Sequence, residues 1–125
     1  MDKLEDSMMR TTLWSILLVL AGCVNPQLSG TVLTVDDVHG NLNTDIECST
    51  VEAFGFELGD GFAATCAAGM RIEGKFVVTY SDVANGEWVG LINDDDNLQV
   101  AISFGDASAA TNCSAGDAIV VERQL

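Results

Sequence analysis

The chain has 125 residues, 48% of them apolar, with 19 acids against 5 bases for a formal charge of −14. That length suits one domain and excludes a multidomain enzyme. The charge excludes a basic phosphate-binding surface, so no nucleic-acid partner is expected, and the apolar content excludes intrinsic disorder.

Thr11–Gly22 carries no charge. It is too short to span a bilayer, which takes about 20 apolar residues as a helix, but has the length of a secretory signal's apolar region. It runs into Leu20-Ala21-Gly22-Cys23, which resembles a bacterial lipobox. Residues 1–22 are therefore read as a lipoprotein-type signal, Cys23 as the lipidated residue, and residues 23–29 as a tether. Residues 30–125 form the folded domain. Asp2, Glu5 and Asp6 beside Lys3 and Arg10 make a poor n-region, whereas a start at Met8 or Met9 leaves Arg10 alone. A buried N-terminal helix is the competing reading. On the lipoprotein reading the protein is exported, sits in the cell envelope, and meets the membrane through lipid on Cys23. Beyond Cys23, Arg71, Lys75 and Arg123 face sixteen acids, so the body stands off an anionic surface.

Past residue 29, helical periodicity is almost absent. Runs rich in Val, Ile, Thr and aromatic residues alternate with Gly, Asn and Asp clusters, the pattern of strands and turns. Strands are expected at Gly30–Val35, Thr44–Cys48, Phe62–Cys66, Arg71–Tyr80, Glu87–Ile92, Leu98–Ser103 and Ala118–Arg123. Turns fall at His39-Gly40-Asn41, Gly59-Asp60-Gly61, Asn85-Gly86, Asn93–Asn97 and Ala115-Gly116-Asp117. Seven short strands suggest an all-β fold, a closed barrel or sandwich. Ala107–Ala110 is the best helical turn.

Three cysteines remain after Cys23: Cys48, Cys66 and Cys113. They cannot all pair within one chain. They are read as small apolar strand residues or as one disulfide, most plausibly Cys48–Cys66. One histidine, His39, and no Cys-x-x-Cys give a zinc site no support. Asp94-Asp95-Asp96 reads as a solvated hairpin tip rather than a cation loop.

Four stretches carry a family resemblance. Gly30-Thr-Val-Leu-Thr-Val35 leads through Asp36-Asp37 to Gly40-Asn41-Leu42-Asn43-Thr44-Asp45-Ile46. Then come Thr79-Tyr80-Ser81-Asp82-Val83 with Gly86-Glu87, Leu98–Ile102 with Gly105-Asp106-Ala107, and Gly116-Asp117-Ala118-Ile119-Val120. In order and spacing these resemble the C-terminal domain of the S-adenosylmethionine (SAM) hydroxide adenosyltransferases, the family that includes the SAM-dependent fluorinase and chlorinase, over nearly all of residues 29–123. The resemblance implies an antiparallel β-barrel that binds the adenine of SAM where it meets a neighbouring subunit of a trimer. It implies a hydrogen bond from Asn41 to the base, packing of Tyr80 on it, and contacts from Ser103 and from Gly105 to Ala107. An amide has the donor and acceptor a purine edge needs, and a ring face supports stacking. His39 replaces the family's Phe, Asp45 its second Asn, and one extra residue leaves either Asp36 or Asp37 as its Asp. The family's activating residues lie on an N-terminal domain, so no catalytic residue is assigned to this barrel. Three functions follow: a binding module for a nucleoside such as adenosine or SAM, an interaction scaffold, or half of a split SAM hydrolase with a separate partner.

Overall fold

A computed structural model describes residues 27–67 and 69–124. The signal segment, Cys23 and the first tether residues lie outside the described residues. Seven strands close into a barrel in the order β1-β2-β6-β5-β4-β3-β7. They are β1 (Gln27–Val35), β2 (Leu42–Glu47), β3 (Gly61–Cys66), β4 (Arg71–Phe76), β5 (Trp88–Ile92), β6 (Asn97–Ile102) and β7 (Ala118–Gln124). Closure leaves no open sheet edge.

All seven expected strands form, with shifted ends. β1 starts earlier, because Gln27, Leu28 and Ser29 pair with Glu122, Val121 and Val120 of β7. Those three residues, expected in the tether, therefore belong to the sheet. The expected strand Arg71–Tyr80 ends at Phe76. Val77 N–H still bonds Gly90 C=O, but Tyr80–Asp82 turn as a 3-10 helix. Thr79 caps it, with the Asp82 carboxylate reaching back to Thr79 N–H. Such a reciprocal cap fixes where the chain leaves the sheet.

One pairing corrects the all-antiparallel expectation. β4 and β5 run parallel, with Gly74 opposite Trp88, because residues 77–87 form a crossover long enough to return the chain in the same direction. Gly74 lets the strands close, since a Cβ there would lie 2.5 Å from the Trp88 carbonyl oxygen. Two short helices complete the fold: α1 (Cys48–Ala53), which was not expected, and α2 (Ala107–Thr111), which was.

Val32, Leu42, Ile46, Phe62, Ile72, Phe76, Leu98, Val100, Ile119 and Val121 form the main buried cluster, joined by Val51 of α1 and Phe56 after it. Strand alternation turns one residue in two inward. A second buried cluster is Val77, Val89, Leu91 and Ala101, with Tyr80 and Val83 packed on it. It lies on the other face of β5 and β6, under the crossover.

The disulfide joins Cys66 to Cys113 across a separation of 47 residues, and Cys48 is free. This corrects the Cys48–Cys66 pairing. Cys48 opens α1, whereas Cys113 follows α2 and packs in the main cluster beside Cys66. Burial, and secondarily Glu52 and Asp96, hold the Cys48 thiol above its usual range, which keeps it protonated and unreactive.

Candidate functional site

The site begins in the turn after β1. Asp36 Oδ1 accepts Val38 N–H at 2.7 Å and His39 N–H at 3.0 Å. Its carbonyl accepts Gly40 N–H at 2.7 Å, and its own N–H reaches the Asn41 carbonyl at 3.1 Å. Asp36 is therefore the turn-forming acid of the pair. These backbone donors, His39 first and Val38 second, hold its carboxyl below the usual carboxylate range.

Gly40 has φ +67°, and a Cβ there would collide with the Asp106 carboxylate. Its carbonyl accepts Ser108 N–H at 2.9 Å. Asp106 in turn caps α2 through Ala109 N–H at 2.9 Å. The Gly-Asn turn and the Gly105-Asp106-Ala107 segment, far apart in sequence, are thus docked on each other.

Between them opens a cavity of about 550 Å³ lined by Val38, His39, Asn41, Tyr80, Ile102, Phe104, Gly105 and Asp106. That volume lies within the roughly 300–1,000 Å³ of small-molecule sites. Three of the five expected site residues, Asn41, Tyr80 and Gly105, are in its wall. The other two are not among its lining residues. Ser103 is fully buried and its hydroxyl donates to the Tyr80 carbonyl at 3.0 Å, which fixes the backbone that presents the ring. Ala107 packs in the main cluster.

Asn41 is only 4% exposed. Its Nδ2 donates to Tyr80 Oη at 3.0 Å, and Tyr80 Oη donates to Gln99 Oε1 at 2.9 Å. Burial, and secondarily the nearby Asp36 carboxylate, hold the Tyr80 phenol above its usual range, with the Asn41 hydrogen bond pulling the other way. The phenol is thus neutral at ordinary pH. No lysine or arginine is among the lining residues, and Asp106 is.

Sequence reasoning missed Val38 and Phe104, which are 80% and 82% exposed. Phe104 takes φ +55°, a conformation uncommon for a bulky residue. The available signal was an aromatic residue placed directly before Gly105-Asp106. Gln99 was also missed, being indistinguishable from any polar strand residue.

Two solved structures resemble this barrel. An uncharacterized conserved protein from Thermotoga maritima has a TM-score of 0.74 at 24% identity, covering 80% of this chain and 37% of that one. A conserved hypothetical protein from Thermus thermophilus has a TM-score of 0.52 at 25% identity, covering 80% and 35%. The chain thus spans little more than a third of the length of each. No curated protein matches the chain. The family described as the SAM hydroxide adenosyltransferase C-terminal domain matches residues 30–120. That match reaches all seven strands, ending within β7, and takes in the whole cavity wall, and the chain belongs to this family.

Proposed function

We propose that this barrel is a non-catalytic binding module for an adenine nucleoside, adenosine or SAM, seated in the cavity between the Gly-Asn turn and α2. The observation that carries the reading is Asn41: a buried amide in the wall of a ligand-sized cavity, with Tyr80 beside it. Buried polar groups are expected to be hydrogen-bonded, and among the described residues Asn41 Oδ1 has no partner. A purine edge would supply one. The lining charge suits a neutral or cationic ligand, since it offers no counter-ion to a phosphate. His39 is the sole imidazole in the chain.

The proposal includes export as a lipid-anchored protein through Cys23, which the Cys66–Cys113 disulfide supports, because such bonds persist in oxidising compartments. A second reading, half of a split SAM hydrolase, draws on Val38 and Phe104. These exposed apolar side chains at the cavity rim suit a covering surface, from a separate partner or from a second copy in a trimer.

Calorimetry of the purified chain with adenosine and SAM tests the main reading. Saturable binding that Asn41→Ala weakens by about 1–3 kcal/mol is expected. No heat with either ligand at millimolar concentration sinks it. Adenosine and methionine release from SAM by the chain alone would overturn the non-catalytic assignment.

A further inference from the structure

The hydrogen bonds behind Asn41 have a direction that can be read without ambiguity. At the β5–β6 hairpin, Asn93 Oδ1 accepts Asp95 N–H at 3.0 Å and Asn97 N–H at 3.1 Å. Backbone amides only donate, so this end of the Asn93 amide is oxygen and the other is nitrogen. Asn93 Nδ2 donates to Asn43 Oδ1 at 3.1 Å, which fixes Asn43. Gln99 Nε2 then donates to the same oxygen at 2.7 Å, leaving Gln99 Oε1 as the acceptor that faces Tyr80. The Tyr80 proton therefore goes to Gln99, and its oxygen accepts from Asn41 Nδ2. Among the described residues, Asn41 is left with its oxygen and one N–H unused.

We infer that Asn93, Asn43, Gln99 and Tyr80 are positioning residues whose directional relay holds the Asn41 amide so that the cavity selects a 6-amino over a 6-oxo purine nucleoside. The inference rests on the nucleoside reading above and adds to it a remote determinant of specificity. An amide presenting oxygen beside N–H pairs with the N6 donor and N7 acceptor of adenine. A 6-oxo purine offers acceptors at both places and sets one oxygen against Asn41 Oδ1. Turning the amide would relieve that clash, but it would leave the Tyr80 oxygen facing another oxygen with its own proton already committed. The relay makes the turn costly.

The relay also predicts how to reverse the preference from outside the cavity. In Asn93→Asp the introduced carboxylate still caps the hairpin amides but cannot donate to Asn43. Asn43 turns its nitrogen inward, Gln99 turns after it, and the Tyr80 proton moves to Asn41. The Asn41 nitrogen then faces the ligand.

Adenosine and inosine affinities measured on the full chain test this, together with the Asn41 side-chain amide resonances in the ligand-free protein. Wild type is expected to prefer adenosine by roughly tenfold or more, the scale of one mismatched base edge. Asn93→Asp should bring the ratio to unity or below, and Gln99→Leu should bring it towards unity. Both should move the Asn41 amide resonances. A structural role alone would weaken both nucleosides in parallel, so a preserved ratio overturns the relay, as does an unmoved amide. Wild type binding both nucleosides alike also overturns it while leaving the nucleoside reading standing. Wild type binding neither overturns the nucleoside reading and this selectivity together.

Discussion

Inside the barrel, side chains such as Val32, Leu42, Phe62, Val100 and Val121 pack together in one buried apolar cluster. On the outer face of β6, one residue away along the same strand, Gln99 is also buried, at 7% exposure, but joins a chain of hydrogen-bonded side chains. The two faces differ in what they specify. An apolar interior tolerates any filling of the right volume, so it sets the fold without marking a ligand. A buried amide chain is worth little unless every member is satisfied, and this one stops at an unsatisfied oxygen in a cavity wall. The barrel is thus a scaffold whose inner face supplies stability and whose outer face supplies orientation.

The largest expected effect breaks the inner side of this comparison. Phe62→Ala should cost about 3–5 kcal/mol, read as a fall in the denaturant midpoint. Any nucleoside affinity of the molecules that remain folded should be unchanged. An altered affinity there would mean that the two faces are coupled. Next is the disulfide, which ties the loop after α2 to β3 within the main cluster. Cys113→Ser removes a closure of 47 residues, worth about 4 kcal/mol on chain-entropy grounds. Thermal unfolding with and without reductant should give the same loss in the wild type, and resistance to reductant would show that this bond is not what holds α2. Smaller again is Gly40→Ala, which meets both a left-handed φ and the Asp106 carboxylate. It should cost about 1–3 kcal/mol and damage the site more than the fold. A variant with wild-type stability and wild-type adenosine binding would show that the docked turn is not the cavity's frame.

The contrast also explains what the sequence could reveal. Seven strands were legible because most are runs of β-branched and aromatic residues bounded by Gly, Asn or Asp turns. The parallel β4–β5 pair was not, because direction depends on how residues 77–87 cross the sheet. α1 was missed because six residues with only Val51 buried are too few for a helical period to emerge. Thr79 and Asp82, by contrast, stood at the capping spacing and could have ended the β4 strand on the page. The Cys66–Cys113 pair is invisible in one dimension, since its partners come from β3 and the loop after α2. Asn41 and Tyr80 came from motif resemblance, but their contact did not. Nothing in the sequence says that the Tyr80 hydroxyl is engaged at both ends, so a Tyr80→Phe change that looks silent for stacking removes the link between Gln99 and Asn41.

The smallest effect is also the most local, and it reads the outer cluster without any ligand. Tyr80 is the only tyrosine in the chain, so tyrosinate absorbance reports this one hydroxyl. Burial raises its pKa first and the Asp36 carboxylate second. A raised folded-state value favours the neutral phenol. Its contribution to stability is complete below the unfolded value of about 10 and is lost as pH rises through the folded value. The folded chain should therefore titrate at higher pH than the same chain in denaturant. Asp36→Asn keeps the acceptor for Val38 and His39 but removes the charge, so it should bring the midpoint part of the way back and leave the share due to burial. Asn41→Ala should move it further up, because the lost hydrogen bond is the one cause acting downward. If the folded and unfolded chains titrate together, Tyr80 is in water and the outer face is an ordinary solvated sheet surface. If they separate and Asp36→Asn closes the whole gap, charge rather than burial governs the site, and the contrast between the two faces of β6 is one of electrostatics instead of desolvation.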